Sequence, residues 1–328
     1  MKLLVLVHHD FEVWETPTWF DQRLREDFPQ LEVVRLDSEN DTIEDWIDAD
    51  AALTWSLRPK QLERAKRLQW IHCPAAAVNQ LLFPEFIASD VILTNGRDVH
   101  GAVVAEHVVA LIFALAKKLP WAMRLQAKHV WGQDEAWHAG QRPREVKGAV
   151  LGLVGVGAIG REVAKYASVL GMTVLATRAN PDKDAPEGVE RVFGPDELAK
   201  MLALSDYVVL AAPVTGSTNK LLDASKLAVM KPSACVINVG RGVLVDEAAL
   251  EKALRGRKIA AAALDVFEKE PLPKDSPLWD LENLLITPHI AGVTGKVWER
   301  QYEFFSENLR RFMHGKSLRA VVNKQDGY

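Results

Sequence analysis

The sequence predicts an α/β protein with two doubly wound parallel sheets, and three observations carry that reading. Short apolar runs alternate with amphipathic segments along most of the chain, as parallel strands joined by crossover helices do. The alternation comes in two series, one on each side of a long apolar segment at 101–118. A length of 328 residues suits two domains, each able to bury its own core.

In the first series, residues 3–7, 31–36, 51–55, 69–72 and 91–94 read as strands, with amphipathic pieces such as 19–28 and 59–67 between them. The turn Asn95-Gly96-Arg97-Asp98 then leads into 101–118, a mostly apolar helix ending at Pro120 that carries the chain into the second domain. The second series has strands at 149–154, 173–176, 207–210, 234–238, 260–264 and 284–287. Helical patterns at 159–170, 223–230 and 246–255 lie among them. After Pro288-His289, apolar residues from Val293 to Met313 fall at helical spacing and can return the chain to its first domain. The second domain, 99–290, is thus expected as an insertion in a discontinuous first domain, 1–98 with 291–328.

Composition narrows the function classes. With 40 basic against 44 acidic side chains and a net charge of −4, nothing in the charge balance calls for nucleic acid or an anionic membrane. Cys73 and Cys235 lie far apart without zinc-ligand spacing, so no metal is expected and a reducing, cytoplasmic setting is. The apolar run at 3–7 is too short for a signal-peptide core. The run at 101–116 contains Glu106 and His107 and is too short to span a bilayer, so a soluble protein is expected.

Val150 to Val154 runs directly into Gly155-Val156-Gly157-Ala158-Ile159-Gly160 and then into a helix, followed by another strand. That context turns a weak glycine pattern into a dinucleotide site on a Rossmann-like domain. Gly155 permits the tight turn, Gly157 lets a pyrophosphate approach the backbone, and Gly160 lets the helix pack on the strand. Ala158, Ile159 and Gly160 open the helix whose N–H groups face the phosphates. NAD-binding units usually carry an acidic residue at the end of the second strand. Here that place holds Thr177-Arg178-Ala179-Asn180, which suits the 2′-phosphate of NADP; NADP is the preferred cofactor and NAD the alternative.

Three further segments complete a pattern: Asn238-Val239-Gly240-Arg241-Gly242, then Asp265 to Pro273, then Thr287-Pro288-His289-Ile290-Ala291-Gly292. With the glycine turn they closely resemble the D-2-hydroxyacid dehydrogenase family, glyoxylate/hydroxypyruvate reductases in particular. The resemblance covers nearly the whole chain and is weakest before Thr94. It implies two Rossmann-like domains and hydride transfer between NADP(H) or NAD(H) and a small 2-oxo/2-hydroxy acid. It implies Arg241 as carboxylate anchor, His289 as general acid in reduction and base in oxidation, and Glu270 as its partner. It also places Asp265, Ala212, Pro213, Thr218, Val239, Gly240, Arg241, His289 and Gly292 around the cofactor. Substrate contacts are implied for Ala75, Ala76 and Ala77 together with Arg241 and His289.

The family's glycine-containing substrate turn is here Cys73-Pro74-Ala75-Ala76-Ala77-Val78-Asn79, with Asn79 in place of an acid. The alanines still offer N–H groups, and Cys73 reads as a buried structural cysteine. Trp131 and Trp137 belong to an excursion after Pro120 that serves either a homodimer interface, as the resemblance implies, or the core of one subunit. Two other readings of the resemblance are a dinucleotide-sensing corepressor and a dehydrogenase of another small anion such as phosphite.

Overall fold

The structure, a computed structural model, describes residues 1–9, 11–36, 43–138 and 142–327. Two compact units emerge: residues 1–100 with 293–328, and residues 101–292.

The first unit is built on a five-stranded parallel sheet. Its strands are β1 (Lys2–Leu6), β2 (Glu32–Arg35), β3 (Ala51–Thr54), β4 (Trp70–Cys73) and β5 (Ile92–Asn95). Their order in the sheet is β2-β1-β3-β4-β5, a doubly wound order with a switch point between β1 and β3. Strands β3 and β4 are buried along their whole length, which explains why they read as unbroken apolar runs and not as alternating ones. Helices α1 (Thr18–Asp27), α2 (Pro59–Arg64) and α3 (Pro84–Ile87) connect them.

The second unit opens with α4 (Gly101–Ala116), α5 (Leu119–Ala127) and α6 (Gln133–His138). The expected helix at 101–118 is therefore two residues shorter, and Pro120 does not end it. The break comes at Lys118, whose φ of 57° is left-handed, and Pro120 occupies the first turn of α5, where its missing N–H costs nothing. The rest is β6 (Val150–Val154), α7 (Ala158–Val169), β7 (Thr173–Thr177), β8 (Arg191–Phe193), α8 (Leu198–Leu204), β9 (Tyr207–Leu210), α9 (Ala224–Val229), β10 (Cys235–Asn238), α10 (Glu247–Arg255), β11 (Ala261–Leu264) and β12 (Leu284–Ile286). The sheet runs β12-β11-β10-β9-β6-β7-β8, all parallel, with its switch point between β6 and β9. Strand β8 has no counterpart in the sequence reading: Arg-Val-Phe is too short a run to signal itself, and it forms by pairing with β7 at the edge.

Helix α11 (Val297–Met313) rejoins the first unit, where Val297, Tyr302, Phe305 and Leu309 pack with Leu3, Val5, Phe20 and Trp70. It begins four residues after Val293, where the apolar pattern starts. No helix among the described residues is long and apolar enough to cross a membrane.

Candidate active site

In an open parallel sheet, ligands gather beyond the carboxyl ends of the strands near the switch point. The site residues of the second unit occupy that rim. The glycine turn follows β6, Ala212 and Pro213 follow β9, Arg241 follows β10, Asp265 and Glu270 follow β11, and His289 follows β12.

The glycine turn fits a dinucleotide. Gly155 has φ +96° and donates its N–H to Thr177 O over 3.0 Å, so the turn is closed against β7. A Cβ at Gly160 would lie 2.1 Å from Gly155 O, whereas one at Gly157 would meet nothing within 4 Å. Close packing thus dictates Gly160, while the space over Gly157 is open to a ligand. Gly157 is also the N-cap of α7 and supplies no side-chain cap, which leaves the first N–H groups of the helix available to phosphate.

At the end of β7, Thr177 is buried and Arg178 half-buried. One Arg178 nitrogen, Nη2, donates to Asp184 O over 3.1 Å, while Nε is buried without a partner. Thr218 is committed to its own turn: its hydroxyl donates to Pro213 O (2.7 Å) and accepts from Thr215 N–H (2.7 Å). That hydroxyl shapes the segment carrying Ala212 and Pro213.

The turn after β10 is stapled by buried Asn238, whose amide accepts from Gly240 N–H at 3.1 Å and donates to Arg241 O at 2.9 Å. Arg241 is half-buried with Nη1 on Gly240 O at 2.6 Å. Burial lowers its pKa and the nearby Glu270 charge opposes that shift. Glu270 lies 2.6 Å through Oε2 from His289 Nδ1, while its Oε1 accepts the Phe267 N–H at 2.9 Å. Burial would raise the Glu270 carboxyl. The hydrogen bonds from His289 and Phe267 and the charges of His289 and Arg241 outweigh it, and the group sits below its ordinary value. A carboxylate accepts only, so His289 Nδ1 carries the proton of this bond.

His289 itself adopts φ +54°, and its loop is fastened by Asp265. The buried Asp265 carboxylate accepts from Thr287 Oγ1 (2.6 Å), Ile290 N–H (3.0 Å) and Ala291 N–H (3.0 Å), and its backbone carbonyl accepts the His289 N–H (2.9 Å). His107 of α4 reaches the same cluster, 3.2 Å from Thr287 Oγ1. Both Asp265 oxygens therefore fasten the loop that ends in Gly292. Asn238, Thr287 and His107 were not singled out from sequence. A buried asparagine or aspartate at a strand end, where backbone donors and acceptors lose their ladder, is the signal that could have marked the first of them.

In the first unit, Cys73 is buried with its thiol pushed up to about 12 by that burial, and it is not poised to react. Ala76 is exposed, and among the described residues neither the Ala76 nor the Ala77 N–H has a protein acceptor.

Comparison with known proteins agrees with this chemistry. The family model for the D-isomer specific 2-hydroxyacid dehydrogenase, NAD binding domain, matches residues 109–291. A glyoxylate reductase of Korarchaeum cryptofilum is 34% identical over 85% of this chain and 84% of its own length. The chain belongs to the D-isomer specific 2-hydroxyacid dehydrogenase family. It is an NAD(P)-dependent oxidoreductase acting on 2-hydroxy or 2-oxo acids, as its homologues are. A D-3-phosphoglycerate dehydrogenase of Methanocaldococcus jannaschii is 31% identical over 92% of the chain, which spans only 57% of that longer protein. Among solved structures, an NADPH-dependent glyoxylate/hydroxypyruvate reductase from Sinorhizobium meliloti, complexed with NADP and sulfate, superposes with a TM-score of 0.83 at 26% identity. The match covers 100% of this chain and 99% of that one. The corepressor-like and phosphite readings gain no support from these relatives.

Proposed function

We propose that the protein reduces small 2-oxo acids such as glyoxylate or hydroxypyruvate, with NADP(H) preferred over NAD(H). The observation that carries the reading is the 2.6 Å His289–Glu270 pair beside half-buried Arg241, on the ends of three adjacent strands. The bound dinucleotide supplies the hydride in reduction and accepts it in oxidation. Arg241 anchors the substrate carboxylate with a planar fork whose charge acts strongly because the group is half out of water. His289 delivers a proton to the oxygen as it becomes an alkoxide, and Glu270 orients the ring and stabilises its charged form. The N–H groups of the Ala75, Ala76 and Ala77 turn add donors for the carboxylate. Ala212, Pro213, Val239, Gly240 and Gly292 line the dinucleotide.

NADP preference is supported by the unpartnered Arg178 Nε, by the lack of a carboxylate from Thr177 to Asn180, and by the NADP complex of the S. meliloti relative. A homodimer is supported by the apolar surface on one segment: Trp131 is 90% exposed, Met123 67% and Trp137 61%. That exposure contradicts core packing of the two tryptophans within one subunit.

Kinetics with NADPH and NADH against a panel of 2-oxo acids test the reading. NADPH is expected to be the better cofactor, and Arg178→Ala should reduce that preference about tenfold, the scale of a lost charge-assisted bond. Turnover with none of the acids would overturn the proposed activity, and a clear NADH preference the cofactor assignment. Sedimentation at micromolar concentration should give twice the chain mass.

A further inference from the structure

The turn that follows β4 is fastened by three donors from two distant places, Gln301 and the adjacent pair Asn95-Gly96. Gln301 Nε2 donates to Pro74 O at 2.7 Å, the Gly96 N–H to Ala75 O at 3.0 Å, and Asn95 Nδ2 to Ala76 O at 2.6 Å. Three successive carbonyls are thus taken up inside the first unit. Gly96 permits the approach, because a Cβ there would lie 2.1 Å from Pro74 O. With the carbonyls engaged on one side, the Ala76 and Ala77 N–H groups are the turn's free donors among the described residues.

The same unit buries a polar chain of Trp70, Thr94 and His72. Trp70 Nε1 can only donate, so Thr94 Oγ1 accepts from it at 2.9 Å and must give its own hydrogen away. The nearer acceptor is His72 Nδ1 at 2.8 Å, against 3.5 Å for Ile71 O. Burial drives the His72 ring down to about 3, so it is neutral, with its proton on Nε2. His72 Nε2 and Gln301 Oε1 are each buried without a hydrogen-bond partner, while Gln301 Nε2 is held on Pro74 O. His72, Thr94, Asn95 and Gln301 are all at most 4% exposed.

We propose that Gln301 and Asn95 are positioning residues for substrate: with the Gly96 N–H they preset the turn at 74–77 so that its free N–H groups form a ready cradle for the 2-oxo acid's carboxylate. This rests on the reading that the turn contacts substrate, and the experiment separates the two. Steady-state kinetics with NADPH and glyoxylate compare the full-length protein with Gln301→Met, which keeps volume without a donor, and Asn95→Asp, which keeps shape without the amide hydrogens. Each variant should raise the glyoxylate KM about tenfold while kcat and the NADPH KM move less than about twofold, the scale of one lost hydrogen bond to a charged ligand. A general folding defect would move all three constants, and that result overturns the positioning role, as does an unchanged glyoxylate KM. If one variant fails to fold, the other decides. Ala77→Pro deletes a presented N–H itself. A raised KM there with normal amide variants keeps the carboxylate site and removes the positioning role, whereas an unchanged KM overturns both. Calorimetric titration of oxamate onto NADPH-saturated protein reads the same loss of affinity without turnover.

Discussion

Two turns in this molecule, each at the end of a parallel strand, are proposed here to bind an anion through backbone N–H groups, and they are held in opposite ways. The turn at 155–160 is held by itself: a positive φ at Gly155, a 3.0 Å bond to the next strand, and a helix that starts within it. The turn at 74–77 has no glycine and starts no long helix. Its shape comes from Asn95 and from Gln301, the latter 227 positions away in sequence. A self-held turn leaves a compact motif in the sequence, whereas a turn held from outside leaves none.

The comparison can be broken at its local end first. Gly160→Ala places a Cβ against Gly155 O and should destabilise the second unit by about 2 kcal/mol, the usual cost of overpacking, besides weakening NADPH binding. Gly157→Val has open space around it and should leave the melting temperature unchanged. Its NADPH KM should nevertheless rise by about tenfold or more, since its side chain takes the ligand's place. Equal melting losses in both variants would mean that the turn is not read correctly.

Acid should act on the other end. In the first unit His72 is buried and His100 half-buried, and loss of water around the rings holds them down to about 3 and about 4 against an ordinary 6.5. Below 6.5 the unfolded chain takes up protons that the folded chain refuses, so stability falls as pH falls. The window is 6.5 to about 4 for both groups, and to about 3 for His72 alone. Each group contributes at most about 1.4 kcal/mol per pH unit. Thermal melts from pH 7 to pH 4.5 should show this loss, and His100→Gln should make the slope shallower; an identical slope would exclude His100 from it.

The same contrast explains what the sequence discloses. The strand at 207–210 matches its observed bounds, and most others lie within one or two residues, because fully buried parallel strands are short apolar runs with sharp ends. Strand β8 exists only by pairing, and the late start of α11 reflects Gly292 and Gly295 in the turn before it. In the second unit, Arg241, Glu270 and His289 sit on consecutive sheet neighbours, each inside a short motif, so reading along the chain finds them. Asp265 also lies inside such a motif, but its part in fastening the loop is not legible there, because the donors it serves at Thr287, Ile290 and Ala291 lie a full strand later. Gln301 lies inside an ordinary amphipathic helix, and nothing in its neighbours distinguishes it from a surface glutamine.

The most direct measurement is NADPH oxidation by glyoxylate at neutral pH in the wild type, His289→Ala and Glu270→Gln. Removing the proton donor should lower kcat by about two to four orders of magnitude with the NADPH KM preserved, and Glu270→Gln should fall between that variant and the wild type. Glu270 is held below its ordinary 4.5, so its ionised carboxylate supports the histidine throughout the neutral range and is lost only as pH falls through that lowered value. Full turnover in His289→Ala would contradict the assignment of the catalytic acid.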